Sequence, residues 1–128
     1  MIFDTLSQLE TYVPVVPAMA HVITIMDRSL PYERKDGTYA CDEDESVTYR
    51  VMSAMSSSGG FEFEVKAGEG ALIVALDGEE VVSNMDASSV FVLCEGRFLL
   101  LGEGRYRRGV STSLPADFRD VVFTFPMK

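Results

Sequence analysis

A change of hydrophobic pattern within one short segment places the strongest constraint on the fold. Residues 61–65 alternate strictly, with Phe61, Phe63 and Val65 on one side of an extended chain and two glutamates on the other. Residues 71–76 are then apolar at every position. Strict alternation is typical of a strand with one wet face, whereas a short apolar run bounded by turn residues is typical of a strand buried on both faces. Together they predict part of a β-sandwich or barrel.

The two-residue period continues after Gly37 over most of the chain. The predicted strands cover residues 47–51, 61–65, 71–76, 81–82, 90–93, 98–101, 106–110 and 121–125. Many short strands, with turn signals about every 8–12 residues, are typical of an all-β sandwich, jelly roll or barrel. We therefore expect a mainly β fold over residues 37–128.

The first 30 residues instead predict one or two short helices. Asp4 and Thr5 are suitable caps for a helix that runs to Tyr12, and Pro14 ends it. A second helix begins near Pro17 and ends at the next proline. Its apolar stripe consists of Met19, Ile23, Met26 and Leu30. This helical segment should cover an apolar face of the β-sandwich.

Length and charge limit the possible classes of protein. A chain of 128 residues, 47% of them apolar, has the size and composition of a single globular domain, which we expect to span residues 1–128. The net charge of −9 argues against partners such as nucleic acid or an anionic membrane, because both attract clustered cations. The start of the chain lacks the features of a signal peptide, and no apolar run approaches the length of a membrane span. The expected location is cytoplasmic.

Several isolated features allow both a chemical and a structural interpretation. The acidic run 42–45 offers carboxylates to a hard cation but lacks the spacing of a calcium loop, so a solvated turn is favoured. His21 is the only histidine and cannot form a histidine-rich zinc site, which favours a helical surface residue. Residues 102–104 are better explained by a β-turn than by a phosphate loop. Cys41 and Cys94 are expected to pack as small apolar residues, with a disulfide or a reactive thiol as the alternative.

A cluster of arginines is the most informative polar feature. Arg105, Arg107 and Arg108 are three of the eleven cationic residues in this acidic chain. If the segment is a strand, Arg105 and Arg107 share one face. Two guanidinium groups inside a barrel would require an anion or carboxylates between them, and arginine binds carboxylate and phosphate through paired hydrogen bonds. The alternative is an exposed strand face on which these arginines pair with surface acids.

Short motifs along nearly the whole chain resemble one family. The opening sequence MIFDTLSQLETY closely resembles the start of the YhcH/YjgK/YiaL family, which includes the beta subunit of the evolved β-galactosidase. Other parts resemble the family's central and late motifs and its closing strand. These parts are residues 37–42, 63–66, 76–80, 96–107 and 121–125. The resemblance implies a cupin-like β-sandwich or jelly roll with a central pocket, a role in sugar catabolism and, in some members, sugar anomerase activity.

The resemblance also implies a histidine and carboxylate metal site, from which this chain departs. Lys66 and Arg107 occupy the positions of the family's histidines, and about Ala71 and Ile73 occupy those of an acid and a polar residue. Only Glu64 remains of that constellation. Because cationic side chains offer no lone pairs to a transition metal, the sequence predicts a pocket without a metal or other cofactor.

These observations predict a sugar or sugar acid as the ligand of a metal-free pocket. Cationic side chains would hold its carboxylate in place of the metal, while Glu64 would serve as a general acid or base for anomerisation. The predicted substrate-binding residues are Lys66, Arg105, Arg107, Tyr49 and Tyr106.

Two alternatives remain open at this point. The protein can be a non-catalytic partner or regulatory subunit of a glycosidase or sugar pathway, or a homodimer, with strand 71–76 and the methionine-containing helices as its interface. It can also be a pseudoenzyme in which a salt bridge between Lys66 and Glu64 replaces the metal.

Overall fold

Two antiparallel sheets and a small helical layer form the protein in a computed structural model, which describes residues 1–111 and 114–127. The strands are β1 (Ile2–Thr5), β2 (Gly37–Ala40), β3 (Thr48–Met55), β4 (Phe61–Val65), β5 (Glu69–Asp77), β6 (Glu79–Asn84), β7 (Val90–Cys94), β8 (Arg97–Leu101), β9 (Gly104–Val110) and β10 (Asp117–Pro126). A 3₁₀ helix (Leu6–Tyr12), α1 (Met19–Asp27) and α2 (Leu30–Glu33) precede β2. The predicted mainly β sandwich with short N-terminal helices is confirmed.

The large sheet lies between the helices and the small sheet. Its six strands follow the order β1-β8-β5-β10-β3-β2, and the small sheet has the order β4-β9-β6-β7. Side chains of β5 alternate between two apolar clusters. The cluster on the helical side contains Leu72, Val74 and Leu76 together with Met19, Val22 and Ile25, and the cluster between the sheets contains Ala71, Ile73 and Ala75 together with Leu93 and Leu101. Both faces of the large sheet are therefore covered at its centre.

The burial of β5 explains why residues 71–76 are apolar throughout. This strand pairs with β8 on one side and β10 on the other, and its apolar residues are all buried. The alternative in which residues 71–76 form an interface with a partner is therefore wrong, because the helices and the small sheet already cover them. The half-wet strand 61–65 is β4, which lies at an edge of the small sheet.

The N-terminal segment differs from the prediction. Residues 2–5 form an edge strand paired with β8, because a tertiary partner outweighs the local tendency of Asp4 to cap a helix. Asp4 instead accepts hydrogen bonds from the Thr5 amide and from the Tyr12 hydroxyl at 2.7 and 2.8 Å. The second helical segment breaks at Ser29, whose φ is +57°, so Pro31 lies at the start of α2 and does not end a helix.

Both cysteines are free thiols, of which Cys41 is buried and Cys94 is partly exposed. Within the ranges that the structure describes, the helices are all too short or too polar to cross a membrane.

Candidate functional site

The inner face of the large sheet changes from apolar to polar along a single row of paired residues. Cross-strand partners form this row in the order Phe3, Leu99, Ile73, Val122, Arg50 and Thr38. The first four pack against the small sheet or toward it, whereas the last two belong to β3 and β2 at the end of the sandwich. A cavity lies at this end of the row, where a guanidinium and a hydroxyl take the place of apolar side chains.

The cavity has a volume of about 370 Å³ and lies between β2, β3 and β10 on one side and β4 and β9 on the other. Three kinds of side chain line it. The hydroxyl groups are those of Thr38, Thr48 and Thr124, the apolar walls are Met52, Phe61, Phe63 and Val122, and the charged residues are Arg50, Arg108 and Glu62. A pocket with apolar walls and a few polar groups is the usual form of a small-molecule site.

Arg50 is an exposed residue of β3 that faces this cavity. Thr38 and Val122 flank it in the sheet, so neither neighbouring strand places a carboxylate beside it. The ion pairs found among the described residues do not include Arg50. Its guanidinium therefore remains available to an anion that enters from solvent.

Arg108 differs from Arg50 because it belongs to a buried ionic cluster. Its Nη2 donates to Glu80 Oε1 at 3.1 Å and to Asp120 Oδ2. The amide of Gly109 donates to the second oxygen of Glu80 at 2.8 Å. The side chains of Arg108, Glu80 and Asp120 are only 3%, 1% and 0% exposed, so solvent does not screen their charges. One guanidinium thus faces two carboxylates in a dry environment.

This cluster retains a proton at neutral pH. The pKa of Asp120 is raised to about 8, mainly because burial disfavours its charged form; Arg108 opposes this shift and Glu80 adds to it. Burial also opposes the charge on Arg108, but the two carboxylates outweigh it and raise the pKa of the guanidinium. Asp120 therefore carries a proton at neutral pH, which lowers the negative charge that this buried site must hold.

The cluster also supports the aromatic wall of the cavity. The guanidinium carbon of Arg108 lies 5.3 Å from the ring centre of Phe61 and 5.0 Å from that of Phe63. Both distances are within the range of cation–π attraction. Asp120 Oδ1 and Arg108 Nε are buried and accept or donate no hydrogen bond within the described part of the chain. Arg108 therefore contacts both the aromatic wall of the cavity and the carboxyl groups of the buried cluster.

Three of the predicted site residues lie on the outer face of the small sheet. In the pairing of β4 with β9, Glu64 lies opposite Arg105 and Glu62 lies opposite Arg107. Arg105 Nε is 3.7 Å from Glu64 Oε2, with the two side chains 67% and 57% exposed, and Arg107 donates to the carbonyl of Gly59 at 2.9 Å. Arg105 and Arg107 therefore do not converge inside the barrel but lie on the outer strand face that the sequence left as the alternative, because strand alternation directs Arg108 inward instead.

The other predicted site residues also lie away from the cavity. Lys66 is exposed after the end of β4, and Glu64 pairs with Arg105 in place of the predicted salt bridge to Lys66. Tyr106 points between the sheets, where its hydroxyl donates to the carbonyl of Gly102 at 2.8 Å. Tyr49 is buried on the helical side of the large sheet, where its ring lies 5.6 Å from that of Phe123. Their roles in binding a ligand stay predictions.

Sequence reasoning missed Arg50 and Asp120, and it named Arg108 without assigning it to the interior. Arg50 occupies a polar position within the alternating strand 47–51, and Asp120 directly precedes the apolar run 121–125. Arg108 shares its parity with the apolar Tyr106, which was the available signal that it faces inward. The partners of Arg108 were not available from the sequence, because 12 and 28 residues separate it from Asp120 and Glu80.

The lining of the cavity does not suit a transition metal. Its residues include no imidazole and no thiol, and its one carboxylate belongs to Glu62, which lies opposite Arg107 in the pairing of β4 with β9. Two guanidinium groups would also repel a cation. The residues present favour an anion as the ligand.

Comparisons with known proteins establish the fold. Neither a scan against protein-family models nor a search of curated protein sequences found a match. Among solved structures, HppE with cobalt(II) and Tris buffer has a TM-score of 0.58 and 11% identity, and the match covers 71% of this chain and 52% of HppE. This chain therefore spans about half the length of HppE.

Two smaller proteins give similar matches. A cupin protein from Bacteroides fragilis has a TM-score of 0.52 and 10% identity, over 73% of this chain and 79% of that one. A cupin-2 domain protein from Shewanella frigidimarina has a TM-score of 0.50 and 10% identity, over 85% of this chain and 98% of that one. The predicted cupin-like fold is confirmed, whereas identities this low do not show membership of the YhcH/YjgK/YiaL family.

Proposed function

We propose that this protein binds a small organic anion, of the sugar-acid class, in the cavity between its two sheets and without a metal ion. The observation that carries the proposal is Arg50, a guanidinium that lines the cavity and has no carboxylate partner among the described residues. A carboxylate accepts two parallel hydrogen bonds from such a group.

The other lining residues support a hydroxylated ligand. Three threonine hydroxyls, from Thr38, Thr48 and Thr124, can donate to and accept from the hydroxyls of a sugar. Phe61 and Phe63 provide an apolar surface for the carbon skeleton of the ring. A volume of about 370 Å³ lies at the lower end of the range for ligand pockets, which favours a monosaccharide over a longer chain.

The arrangement supports binding more directly than catalysis. Anomerisation requires a proton donor and acceptor near the ring oxygen and the anomeric hydroxyl. Asp120 holds a proton, but it is fully buried behind Arg108 and does not line the cavity. We therefore propose anomerase activity only as a secondary function of this site. A role in sugar catabolism, membership of the YhcH/YjgK/YiaL family and a cytoplasmic location likewise remain proposals.

A titration followed by NMR tests the proposal. Sialic, glucuronic and galacturonic acids should shift the amide signals of β2, β3 and β10 in a saturable manner, and neutral galactose should bind more weakly. Arg50→Gln should weaken binding of the acids about 10- to 100-fold, because a charge-assisted pair is removed. Arg105→Gln is the matched control on the outer face and should bind normally. Equal affinity of wild type and Arg50→Gln, or no saturable response to any acid, would contradict the proposal.

A second candidate function is that of a partner subunit or homodimer. Strand β7 forms one edge of the small sheet, where Val90 and Val92 are 54% and 46% exposed. Apolar side chains on an unpaired edge are suited to contact with another protein. Light scattering of the wild type and of Val92→Glu tests this candidate: a dimer that becomes monomeric in the variant supports it, and a monomeric wild type leaves no evidence for self-association.

A further inference from the structure

Three side chains with metal-binding chemistry meet on the helical side of the large sheet, away from the cavity. His21 belongs to α1, Cys41 directly follows β2, and Glu43 lies two residues further along the same loop. One ligand atom from each residue lies within 4.8 Å of the ligand atoms of the other two. A helix and a separate loop therefore present an imidazole, a thiol and a carboxylate to one point.

Two of the three ligand groups already contact each other, and a guanidinium contacts one of them. The thiol of Cys41 donates to Glu43 Oε2 at 3.2 Å, while Glu43 Oε1 lies 3.2 Å from Arg28 Nη1. Cys41 is 3% exposed, whereas the side chains of His21 and Glu43 are 32% and 44% exposed. The sulfur thus approaches from the protein interior, and solvent reaches the other two ligands.

We propose that His21, Cys41 and Glu43 bind a divalent ion of the zinc class, with water as the fourth ligand. Thiolate, imidazole and carboxylate are the three ligand types that zinc uses in proteins. Tetrahedral zinc with bonds of about 2.0–2.3 Å places neighbouring ligand atoms roughly 3.5 Å apart, so the cluster needs to contract by about 1 Å. The ion replaces the thiol proton, which leaves to solvent, and Arg28 retains its contact with the other oxygen of Glu43.

The surroundings favour this assignment. Asp44 Oδ2 lies 3.8 Å from His21 Nε2, so with Nδ1 as the metal ligand a small movement would give Nε2 the carboxylate partner that metal-binding histidines usually have. The ion would fasten α1 to the loop after β2, and so hold the helical layer against the edge of the large sheet. This site does not depend on the proposed function of the cavity.

Cobalt(II) is the probe for the test, because a cobalt–thiolate bond gives a charge-transfer band in the near ultraviolet. The wild type and Cys94→Ser, which retains Cys41, should both show this band on titration. Cys41→Ser should lose it, and His21→Ala should bind cobalt at least 10-fold more weakly. Zinc at a hundredfold excess over its Kd should raise the Tm of the wild type by on the order of 10 °C.

Three results would overturn the assignment: no band in the wild type, a band that persists in Cys41→Ser, or unchanged cobalt affinity in His21→Ala. Because Cys41 is buried, circular dichroism must show that Cys41→Ser is folded. If that variant does not fold, His21→Ala carries the test, since its side chain is partly exposed and its loss should not disrupt the core.

Discussion

The two faces of the β4–β9 pair carry the same kinds of charged residue in opposite environments. On the outer face, Arg105 and Glu64 form a pair that water surrounds. On the inner face, only three residues further along β9, Arg108 meets Glu80 and Asp120 with almost no exposure to solvent. The difference teaches that strand parity, more than residue type, decides whether a charge is a surface group or part of the architecture.

The inner cluster lies beside the cavity and links the two sheets. Buried charges are costly unless they are paired, and the partners of Arg108 reach it from β6 and β10. The cluster thereby joins the two sheets beside the cavity that Arg108 lines. The outer pair has no such role, because both side chains can exchange their contact for water.

Removal of the buried guanidinium should have the largest effect on stability. Arg108→Met leaves two carboxyl groups buried without their cation, and loss of one partner from such a cluster typically costs about 3–5 kcal/mol. Urea denaturation at neutral pH measures the change. Arg105→Met is the matched control and should change the free energy of unfolding by less than about 1 kcal/mol. Similar losses in the two variants would show that the faces do not differ as the structure indicates.

Gly109, which directly follows Arg108, should also be sensitive to substitution. Its φ is +67°, and an added Cβ would lie 2.7 Å from Cε1 of Phe61. A left-handed conformation costs a residue other than glycine about 1–2 kcal/mol, and displacement of the ring adds to this. We therefore expect Gly109→Ala to lower the free energy of unfolding by about 2–3 kcal/mol. Gly59→Ala is the control, since nothing lies within 4 Å of its added Cβ, and it should be almost neutral.

The proton of the cluster should give stability an unusual dependence on pH. The pKa of Asp120 is about 8 in the folded protein, above its ordinary value of 3.8, so the folded state binds more protons between these values. The contribution of Asp120 to the free energy of unfolding is complete below about pH 4. It decreases by up to about 1.4 kcal/mol per pH unit as the pH rises from there through 8. Asp120→Asn removes the titrating group, so the stability of this variant should not decrease with pH for this reason. Glu80 remains to pair with Arg108.

The comparison of two variants over pH 5–8 provides the measurement. The free energy of unfolding of Asp120→Asn, relative to wild type, should increase with pH over this range. Asp117→Asn, an exposed change at the start of the same strand, should run parallel to wild type. A constant difference between Asp120→Asn and wild type would mean that the cluster holds no proton.

The sequence predicts much of the fold because the fold depends on local periodicity. Residues 61–65 and 71–76 identify β4 and the centre of β5, since alternation and continuous burial are properties of single strands. The short edge strands β1 and β2 are harder to predict, because pairing with β8 and β3 creates them. A helix was accordingly predicted to begin at Asp4, where the structure has an edge strand.

The site is less predictable because it depends on contacts between distant strands. The sequence correctly places Arg105 and Arg107 on the same face of one strand, but it does not show which face of that strand points inward. A bulge in β9 between its contacts with Val81 and Ser83 lies beside Arg108 and adds to this ambiguity. The cavity residue Arg50 stands out only after the structure shows that neither neighbouring strand places a carboxylate beside it.

The outer pair should give the smallest effect. Glu64→Gln removes a contact of 3.7 Å between exposed side chains, so we expect a change in the free energy of unfolding of about 0–1 kcal/mol. A double-mutant cycle with Arg105→Gln isolates the interaction of the two residues. The coupling should vanish in about 1 M salt, where the screening length falls to about 3 Å. A coupling above about 2 kcal/mol that persists in salt would assign this face a structural role comparable to that of Arg108.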